Sequence, residues 1–346
     1  MRRTFSAAAP VLAAATAALL LAACGGASEA GSGAGGSGAG GSGAGGSGDG
    51  GSGGGGSDGG LTPVTVGVIP IVDVAPIYLG VQEGFFEDEG LDVTLELAQG
   101  GAAIVPAVVA GEYQFGFSNV TSLLVASSQG LPLKAVAPGN STTGVAGEDF
   151  SAVVVPEDSD VQDAADLAGR TVAVNTLNNI GDTTIRKVVG DAGGDPAAVE
   201  FVEMAFPDMP AAVAGGQVDA AWIVEPHLTR ALQDGARVVA SNFAETDPDL
   251  LIAAYFTSDQ QIAADPETVE AFTAAMEESL TYAEEHPDET RAVLDDYTEI
   301  DPAVKEAMVM PRFAPGLEAS SFQVLADLGL EQGLFDEAVD VSTLLP

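Results

Sequence analysis

Cysteine and positively charged side chains are scarce in this sequence of 346 residues. Cys24 is the single cysteine, so the chain cannot form an intramolecular disulfide. Lysine and arginine together number 11, against 51 aspartate and glutamate residues, and the formal net charge is −40 at pH 7. Because a surface of this sign repels phosphate groups and anionic lipids, we expect no nucleic-acid partner.

Residue patterns that usually carry catalysis or bind metals are also rare. His227 and His286 are the two histidines of the sequence, and neither has a second ligand at metal-binding spacing. The segment GFSNV at residues 116–120 lacks the second glycine of a nucleophile elbow. The acidic stretches EGFFEDEG and YAEEHPDE lack the alternating oxygen ligands of a calcium loop. We therefore predict a protein that is not an enzyme and holds no cofactor or metal.

The first 60 residues have the features of an export signal followed by a tether. Arg2 and Arg3 precede an apolar run at residues 7–23, which is short for a membrane span and typical of a signal peptide. The sequence LAAC at residues 21–24 resembles the lipobox of bacterial lipoproteins, and the resemblance implies cleavage after residue 23 and lipidation of Cys24. An ordinary secretory signal with an incidental cysteine is the alternative. Residues 24–60 are then the lipidated cysteine and a disordered Gly/Ser linker.

Strand and helix patterns alternate from residue 61 onward. Residues 63–69 alternate as a strand does, and residues 73–89 are predicted to form one helix with Pro76 in its first turn and Gly90 at its end. A second series of strands and helices begins at residue 151, and residues 265–346 are predicted to be helical. Two such series predict an α/β protein with two lobes, which bind ligands at the carboxyl ends of their strands.

Four segments resemble the substrate-binding proteins of ABC importers, in the branch that serves nitrate, taurine, alkanesulfonates and thiamine-pyrimidine precursors. They lie at residues 75–101, 102–119, 166–187 and 218–227, and the whole resemblance runs from residue 64 to residue 286. It implies the two-lobed periplasmic-binding-protein type II fold, with hinge crossings near residues 151–155 and 251–256 and C-terminal helices on the first lobe. Lobe 1 is then residues 61–152 plus 256–346, and lobe 2 is residues 153–255.

The loops that follow the strands supply the candidate ligand contacts. The candidates are Asp73, Gly100, Gly101, Ser118, Asn119 and Asn140 from lobe 1, and Asn175, Asp182, Thr183 and Glu225 from lobe 2. Helix capping is the alternative for Asp73 and Asp182, and bracing of the hinge is the alternative for Glu225. Trp222 and Tyr78 are candidates for stacking on a flat ring, with burial in the core as the alternative.

The resemblance implies an extracytoplasmic, monomeric solute-binding lipoprotein. It would be anchored to the outer face of the cytoplasmic membrane through Cys24 and would deliver its solute to a permease and an ATPase. The predicted solute is a small organic molecule or oxyanion of the nitrate, sulfonate and taurine class, held at the helix start near residues 182–184. A neutral or cationic heterocycle is the alternative, because Asp73 and Glu225 would favour it if they face the cleft. A surface sensor or enzyme on the same scaffold also stays open.

Overall fold

The computed structural model describes residues 60–313 and 316–346 of the chain. The predicted signal peptide at residues 1–23, the predicted lipidation site Cys24 and the linker up to residue 59 lie outside the described residues. In the described part, no helix combines the length and the apolar character that crossing a membrane requires.

The strands of the described part form two sheets of five strands each. The strands are β1 Thr62–Val68, β2 Leu91–Leu97, β3 Phe115–Asn119, β4 Leu133–Ser141, β5 Ser151–Pro156, β6 Thr171–Val174, β7 Glu200–Glu203, β8 Ala220–Val224, β9 Ala236–Ala240 and β10 Leu251–Ser258. The first sheet has the order β2-β1-β3-β10-β4, and the second has the order β7-β6-β8-β5-β9. Each sheet is parallel over three strands and contains one antiparallel strand, β10 or β5, that arrives from the other sheet.

Helices cover both sheets. The α-helices are α1 Ala75–Glu83, α2 Phe85–Asp88, α3 Gly101–Val109, α4 Val120–Ser128, α5 Ile180–Asp191, α6 Met209–Ala214, α7 His227–Gln233, α8 Asn242–Thr246, α9 Asp259–Ala264, α10 Pro266–Glu285, α11 Pro287–Ala292, α12 Pro302–Ala307 and α13 Ala319–Glu331. Short 3-10 helices occur at Val72–Val74, Ala164–Leu167, Pro196–Ala198, Phe206–Asp208, Val293–Asp296 and Val341–Thr343. The first lobe is the first sheet with α1–α4 and the helices after β10, and the second lobe is the second sheet with α5–α8.

The predicted helix at residues 73–89 is divided into three pieces. The pieces are a 3-10 turn at residues 72–74, α1 and α2. Helix α1 ends at Gly84, whose φ of 88° lies in the left-handed region. A residue in this conformation ends an α-helix, and glycine adopts it without a steric penalty. The 3-10 turn matters for function because it carries Asp73 directly after β1.

The chain passes between the two sheets at residues 142–150 and 241–250. The predicted crossings near residues 151–155 and 251–256 lie in β5 and β10, the strands that directly follow these two connections. Both strands are apolar along nearly their whole length, so their pattern predicts a strand without indicating which sheet it joins. The two connections lie side by side, since the backbone N–H of Thr142 donates to the carbonyl of Leu250 at 3.0 Å, a typical backbone hydrogen-bond distance.

The C-terminal helices return to the first lobe, as the resemblance implies. The long helix α10 packs on α1, and α13 packs on α4. The rings of Tyr78 in α1 and Tyr297 stack with their centroids 4.0 Å apart. Helix α13 also reaches the second lobe, because the side-chain amide of Gln332, just beyond its end, donates to the carbonyl of Thr183 at 2.9 Å.

Candidate functional site

A cavity of about 30 Å³ lies between the two lobes. The first lobe contributes Ile69, Ile71, Asp73, Phe117, Asn119, Ile252 and Ala253, and the second contributes Asn175, Ile180, Phe206, Trp222, Val224 and Phe243. This volume accommodates about one or two water molecules. A solute of metabolite size therefore enters only if the lobes move apart about the two connections.

Strand ends place these residues around the cavity. Residues 69–73 follow β1, Asn119 ends β3, Asn175 follows β6, and Trp222 and Val224 lie at the end of β8. These four strands are parallel within their sheets, so their carboxyl ends meet at the cleft, where α/β proteins bind ligands.

An aromatic wall with fixed geometry forms the second-lobe side. The Trp222 ring packs edge-on against Phe206 and Phe243, at centroid distances of 5.3 and 5.6 Å. A Cβ at Gly181, in the first turn of α5, would lie 2.4 Å from Cε3 of Trp222, so only glycine lets this helix approach the indole so closely. The indole therefore belongs to the core and also lines the cavity, and its stacking on a flat ring stays a prediction.

Hydrogen bonds hold this wall in place. The Trp222 indole N–H donates to Oγ of Ser151 at 2.7 Å, and the Ser151 hydroxyl donates to Oδ1 of Asn242 at 3.3 Å. The Asn242 amide in turn donates to Oγ1 of Thr184 at 2.8 Å. Each polar side chain in this series is buried and paired, so the network fixes the rotamer of the indole.

Asp73 is the acidic side chain that lines the cavity. It is 3% exposed, and its Oδ1 atom has no hydrogen-bond partner. Burial raises the pKa of Asp73 to about 7, and the charge of Asp149 adds to the rise. The Asn140 amide lies near enough to offset part of this rise, although it makes no hydrogen bond of standard geometry. Asp73 caps no helix, because the residue at the N-cap of α1 is Val74.

Further buried polar groups of the first lobe also lack partners. They are the hydroxyls of Ser118, Thr121 and Tyr255 and both amide atoms of Asn140. Burial raises the pKa of Tyr255 well above its ordinary value, and negative charge on Tyr78 or Asp73 would raise it further. The Tyr255 hydroxyl therefore stays protonated. Tyr255 was not predicted from the sequence, because it lies within the apolar strand LIAAYFTS.

Two predicted acidic contacts of the second lobe bind the protein itself. The Asp182 carboxylate accepts from the backbone N–H groups of Asn178 and Asn179, at 2.8 and 2.6 Å, within a capping box at the start of α5. The Glu225 carboxylate accepts from the N–H and the hydroxyl of Thr229, at 2.9 and 2.7 Å, and from the N–H of Val309 at 3.2 Å.

Burial raises the pKa of both Asp182 and Glu225, and these hydrogen bonds offset the rise. The backbone N–H of Val72 in the first lobe donates to the carbonyl of Glu225 at 3.3 Å, so Glu225 joins the two lobes. Neither carboxylate lines the cavity. Their assignment as ligand contacts stays a prediction.

The remaining predicted contacts surround the cavity at different distances. Asn119 lines it and also caps α4, since its Oδ1 accepts from the N–H of Ser122 at 2.9 Å. Gly101 lies directly against Ser118, because a Cβ at residue 101 would lie 2.0 Å from the Ser118 hydroxyl oxygen. Gly100 faces the second lobe, where a Cβ would lie 3.6 Å from the Asn175 amide.

Three of the ten candidates line the cavity, and seven do not. The three are Asp73, Asn119 and Asn175. The seven are Gly100, Gly101, Ser118, Asn140, Asp182, Thr183 and Glu225.

Positive charge is absent from the lining of this cavity. All lysines and arginines other than Arg2 and Arg3 lie in the described part, and each of them pairs with a carboxylate or a backbone carbonyl elsewhere. Arg186, which the sequence places near the site, donates to the carbonyl of Pro196 and lies over the Phe201 ring. Lys187 pairs with Asp191. Across residues 60–313 and 316–346, no group of histidine, cysteine and acidic side chains is arranged to hold a metal ion.

Solved structures share this architecture. The alkanesulfonate-binding protein SsuA from Xanthomonas axonopodis pv. citri, bound to MOPS, superposes with a TM-score of 0.69 at 20% identity, over 83% of this chain and 99% of that one. The periplasmic nitrate-binding protein NrtA from Synechocystis PCC 6803 gives a TM-score of 0.71 at 15% identity, over 82% of this chain and 86% of that one. The two sheets, their two connections and the cavity between them define the type II periplasmic-binding-protein fold.

Sequence comparison then identifies the family. Residues 71–290 match the family described as NMT1/THI5 like, and the chain belongs to that family. A Brucella abortus protein that is named provisionally as a binding protein is 26% identical over 226 residues, which are 64% of this chain and 67% of that protein.

Two further relatives carry names that involve pyrimidines. The formylaminopyrimidine-binding protein of Halalkalibacterium halodurans is 25% identical over 42% of this chain and 41% of that protein. The 4-amino-5-hydroxymethyl-2-methylpyrimidine phosphate synthase of Aspergillus parasiticus is 23% identical over 66% of this chain and 67% of that enzyme.

Proposed function

We propose that this protein is an extracytoplasmic solute-binding protein of an ABC importer, which captures a small solute between its lobes and delivers it to the permease and ATPase. The observation that supports this most strongly is the cavity lined by side chains from both lobes, at the carboxyl ends of their parallel strands. A solute that contacts both walls stabilises the closed arrangement, and release requires the hinge to open.

The lining favours a flat ring that is neutral or cationic over the oxyanion class. Nitrate, sulfonates and taurine carry negative charge, whereas the cavity offers them no lysine or arginine and presents Asp73 instead. The rings of Phe117, Trp222 and Phe243 supply apolar faces on which a heterocycle can stack. The names of the two pyrimidine relatives agree with this choice.

A thermal-shift screen of the full-length protein with pyrimidines, amines, nitrate, taurine and alkanesulfonates tests the function and the solute class together. A solute at 100 times its dissociation constant stabilises the folded protein by about 2.7 kcal/mol. We expect a ring-bearing solute to produce this shift and the oxyanions to produce none. A shift by nitrate or a sulfonate alone would overturn the choice of class.

Native mass spectrometry of the same complexes distinguishes capture from catalysis. We expect the solute to leave the protein chemically unchanged, as it does in a transport-associated binding protein. Conversion of the solute to a product would contradict the proposed function and support an enzyme on the same scaffold.

We also propose that Cys24 anchors the protein by its lipid and that residues 25–60 tether the two lobes near the transporter. The lipobox resemblance of residues 21–24 supports this. Replacing Cys24 by serine should move the protein from the membrane fraction to the soluble exported fraction. Ser28→Ala, four residues further on, is the matched control and should stay with the membrane. Retention of Cys24→Ser in the membrane fraction would exclude lipid anchoring at this residue.

A further inference from the structure

Three buried polar side chains of the first lobe remain unpaired, one in the lining of the cavity and two beside residues of that lining. Oδ1 of Asp73, both amide atoms of Asn140 and the hydroxyl of Tyr255 have no hydrogen-bond partner in the protein, and the three residues are 3%, 0% and 0% exposed. Burying polar atoms without partners is unfavourable, so such groups in a binding cleft indicate where a ligand's polar atoms belong.

Each of the three side chains comes from a different element of the first lobe. Asp73 lies in the 3-10 turn after β1, Asn140 near the end of β4, and Tyr255 in the neighbouring strand β10. The Tyr255 ring packs edge-on against Phe117 at 5.2 Å, and Phe117 lines the cavity. Asp73 itself lines the cavity. Asn140 pairs across β4 and β10 with Ala253, which also lines the cavity, so both Asn140 and Tyr255 adjoin the lining.

The other titratable groups near Asp73 supply no positive charge. They are Asp149 in the first connection between the sheets, Tyr78 in α1, Tyr255 in β10 and Tyr297 after the 3-10 helix at residues 293–296. Burial raises the pKa of all three tyrosines, that of Tyr78 to about 12, so they are uncharged in the physiological range. An ionised Asp73 in the closed cleft therefore has no cationic partner from the protein.

Resting on the proposed function, we propose that Asp73 selects solutes that carry a protonated nitrogen, of the amine or amidinium type, on a flat apolar body. The nitrogen donates to the Asp73 carboxylate and supplies the missing positive charge. Asn140 and Tyr255 act as positioning residues, because their amide and hydroxyl can hydrogen-bond the ionised carboxylate or the adjacent edge of the solute. The aromatic wall around Trp222 holds the flat body.

Binding of such a cation is coupled to the protonation of Asp73. A permanently cationic solute prefers the ionised carboxylate, whose pKa in the solute-free protein is about 7. Its affinity should therefore fall by about tenfold per pH unit below that value, and binding near neutral pH should release a proton. A neutral solute of the same shape has no such dependence.

Benzamidine, benzamide and benzoate provide a matched set of probes with one shape and three charges. Isothermal titration calorimetry of the full-length protein at pH 8 and pH 6, in buffers of different ionisation enthalpy, measures affinity and proton release together. We expect benzamidine to bind at least about tenfold more tightly than benzamide at pH 8. At pH 6 its affinity should fall by about tenfold, and its binding should release nearly one proton there but little at pH 8. Benzoate should bind most weakly.

Asp73→Asn keeps the shape of the side chain and removes its charge. We expect this variant to lose the preference for benzamidine and the proton release while it still binds benzamide. Asp265→Asn is the matched control, since Asp265 accepts two hydrogen bonds from Thr268 at the start of α10 and does not line the cavity, and it should keep the preference. Circular dichroism of each variant establishes that it is folded.

The outcomes separate this inference from the proposed function. Tighter binding of benzamide or benzoate than of benzamidine, or an unchanged preference in Asp73→Asn, overturns the charge selection and leaves solute capture intact. If none of the three probes binds and no solute in the thermal-shift screen binds, the proposed function is overturned together with the inference.

Discussion

The two walls of the cleft differ in how far their buried polar groups are satisfied. On the second-lobe side, Trp222, Ser151, Asn242 and Thr184 form a continuous series of hydrogen bonds. On the first-lobe side, Oδ1 of Asp73 and the hydroxyl of Tyr255 have no hydrogen-bond partner. The buried hydroxyl of Thr183 in the second lobe also has no partner, but Thr183 lies outside the lining of the cavity. The wall around Trp222 is thus complete before a solute arrives, whereas the first lobe has hydrogen bonds that a solute can complete.

The two lobes should therefore contribute differently to solute binding, the second through the shape of the site and the first through the choice of solute. A satisfied network fixes side-chain rotamers and defines the shape that a solute has to match. Unsatisfied buried groups lower the stability of the solute-free protein and are available to distinguish one solute from another. Four pairs of measurements test the comparison, from the largest expected effect to the smallest.

Truncation of the aromatic wall should have the largest effect. Trp222→Ala removes a buried indole that packs against Phe206 and Phe243 and bonds Ser151, so we expect a loss of about 3–5 kcal/mol in the free energy of unfolding. Urea denaturation measures it. Trp222→Phe keeps a ring and should lose clearly less. A loss below about 1 kcal/mol for Trp222→Ala would show that the wall is not a fixed part of the core.

Removal of the Asp73 carboxylate should increase the free energy of unfolding, whereas truncation of the aromatic wall should decrease it. The pKa of Asp73 is about 7 in the folded protein against an ordinary value of 3.8, so its ionisation opposes folding, fully above pH 7 and not at all below pH 3.8. Asp73→Asn should therefore stabilise the solute-free protein at pH 8 by up to about 4 kcal/mol, and much less at pH 4.

Asp182→Asn supplies the contrast for the second lobe. Its carboxylate accepts two backbone hydrogen bonds at the start of α5, so the substitution should cost about 1 kcal/mol. Equal effects of the two aspartate variants in urea denaturation at pH 8 would remove the distinction between the walls.

Two hydroxyl deletions make the same comparison with smaller effects. Ser151→Ala leaves the Trp222 indole N–H without its acceptor and should cost about 1–3 kcal/mol. Tyr255→Phe removes a hydroxyl that bonds nothing in the solute-free protein, so its stability should change by less than about 0.5 kcal/mol or increase. Chemical denaturation at a fixed pH distinguishes these outcomes, and a larger loss for Tyr255→Phe would reveal an overlooked partner.

The second lobe should respond to acid in the opposite sense to Asp73. Burial lowers the pKa of His227 to about 4 from an ordinary 6.5, so its contribution to stability is complete above pH 6.5 and is lost as the pH falls toward 4. His227→Gln should match the parent protein at pH 8 and exceed its melting temperature at pH 5. A difference that is independent of pH would assign the effect to packing.

Local sequence patterns predicted the framework of the site better than its chemistry. Asp73, Asn119 and Asn175 were predicted as contacts because each follows a strand, and the structure places all three at the cavity. Tyr255 and Phe243 were not predicted, since each becomes part of the site only through pairing or packing between distant segments.

The unpaired oxygen of Asp73 has a consequence for the transport cycle that we propose. Opening of the lobes lets bulk water reach this carboxyl, whereas the closed cavity has room for only about one or two water molecules. Empty closure is therefore disfavoured relative to closure on a matching solute. A permease that recognises the shut form would then meet mostly loaded protein, so that few cycles of ATP hydrolysis would proceed without cargo.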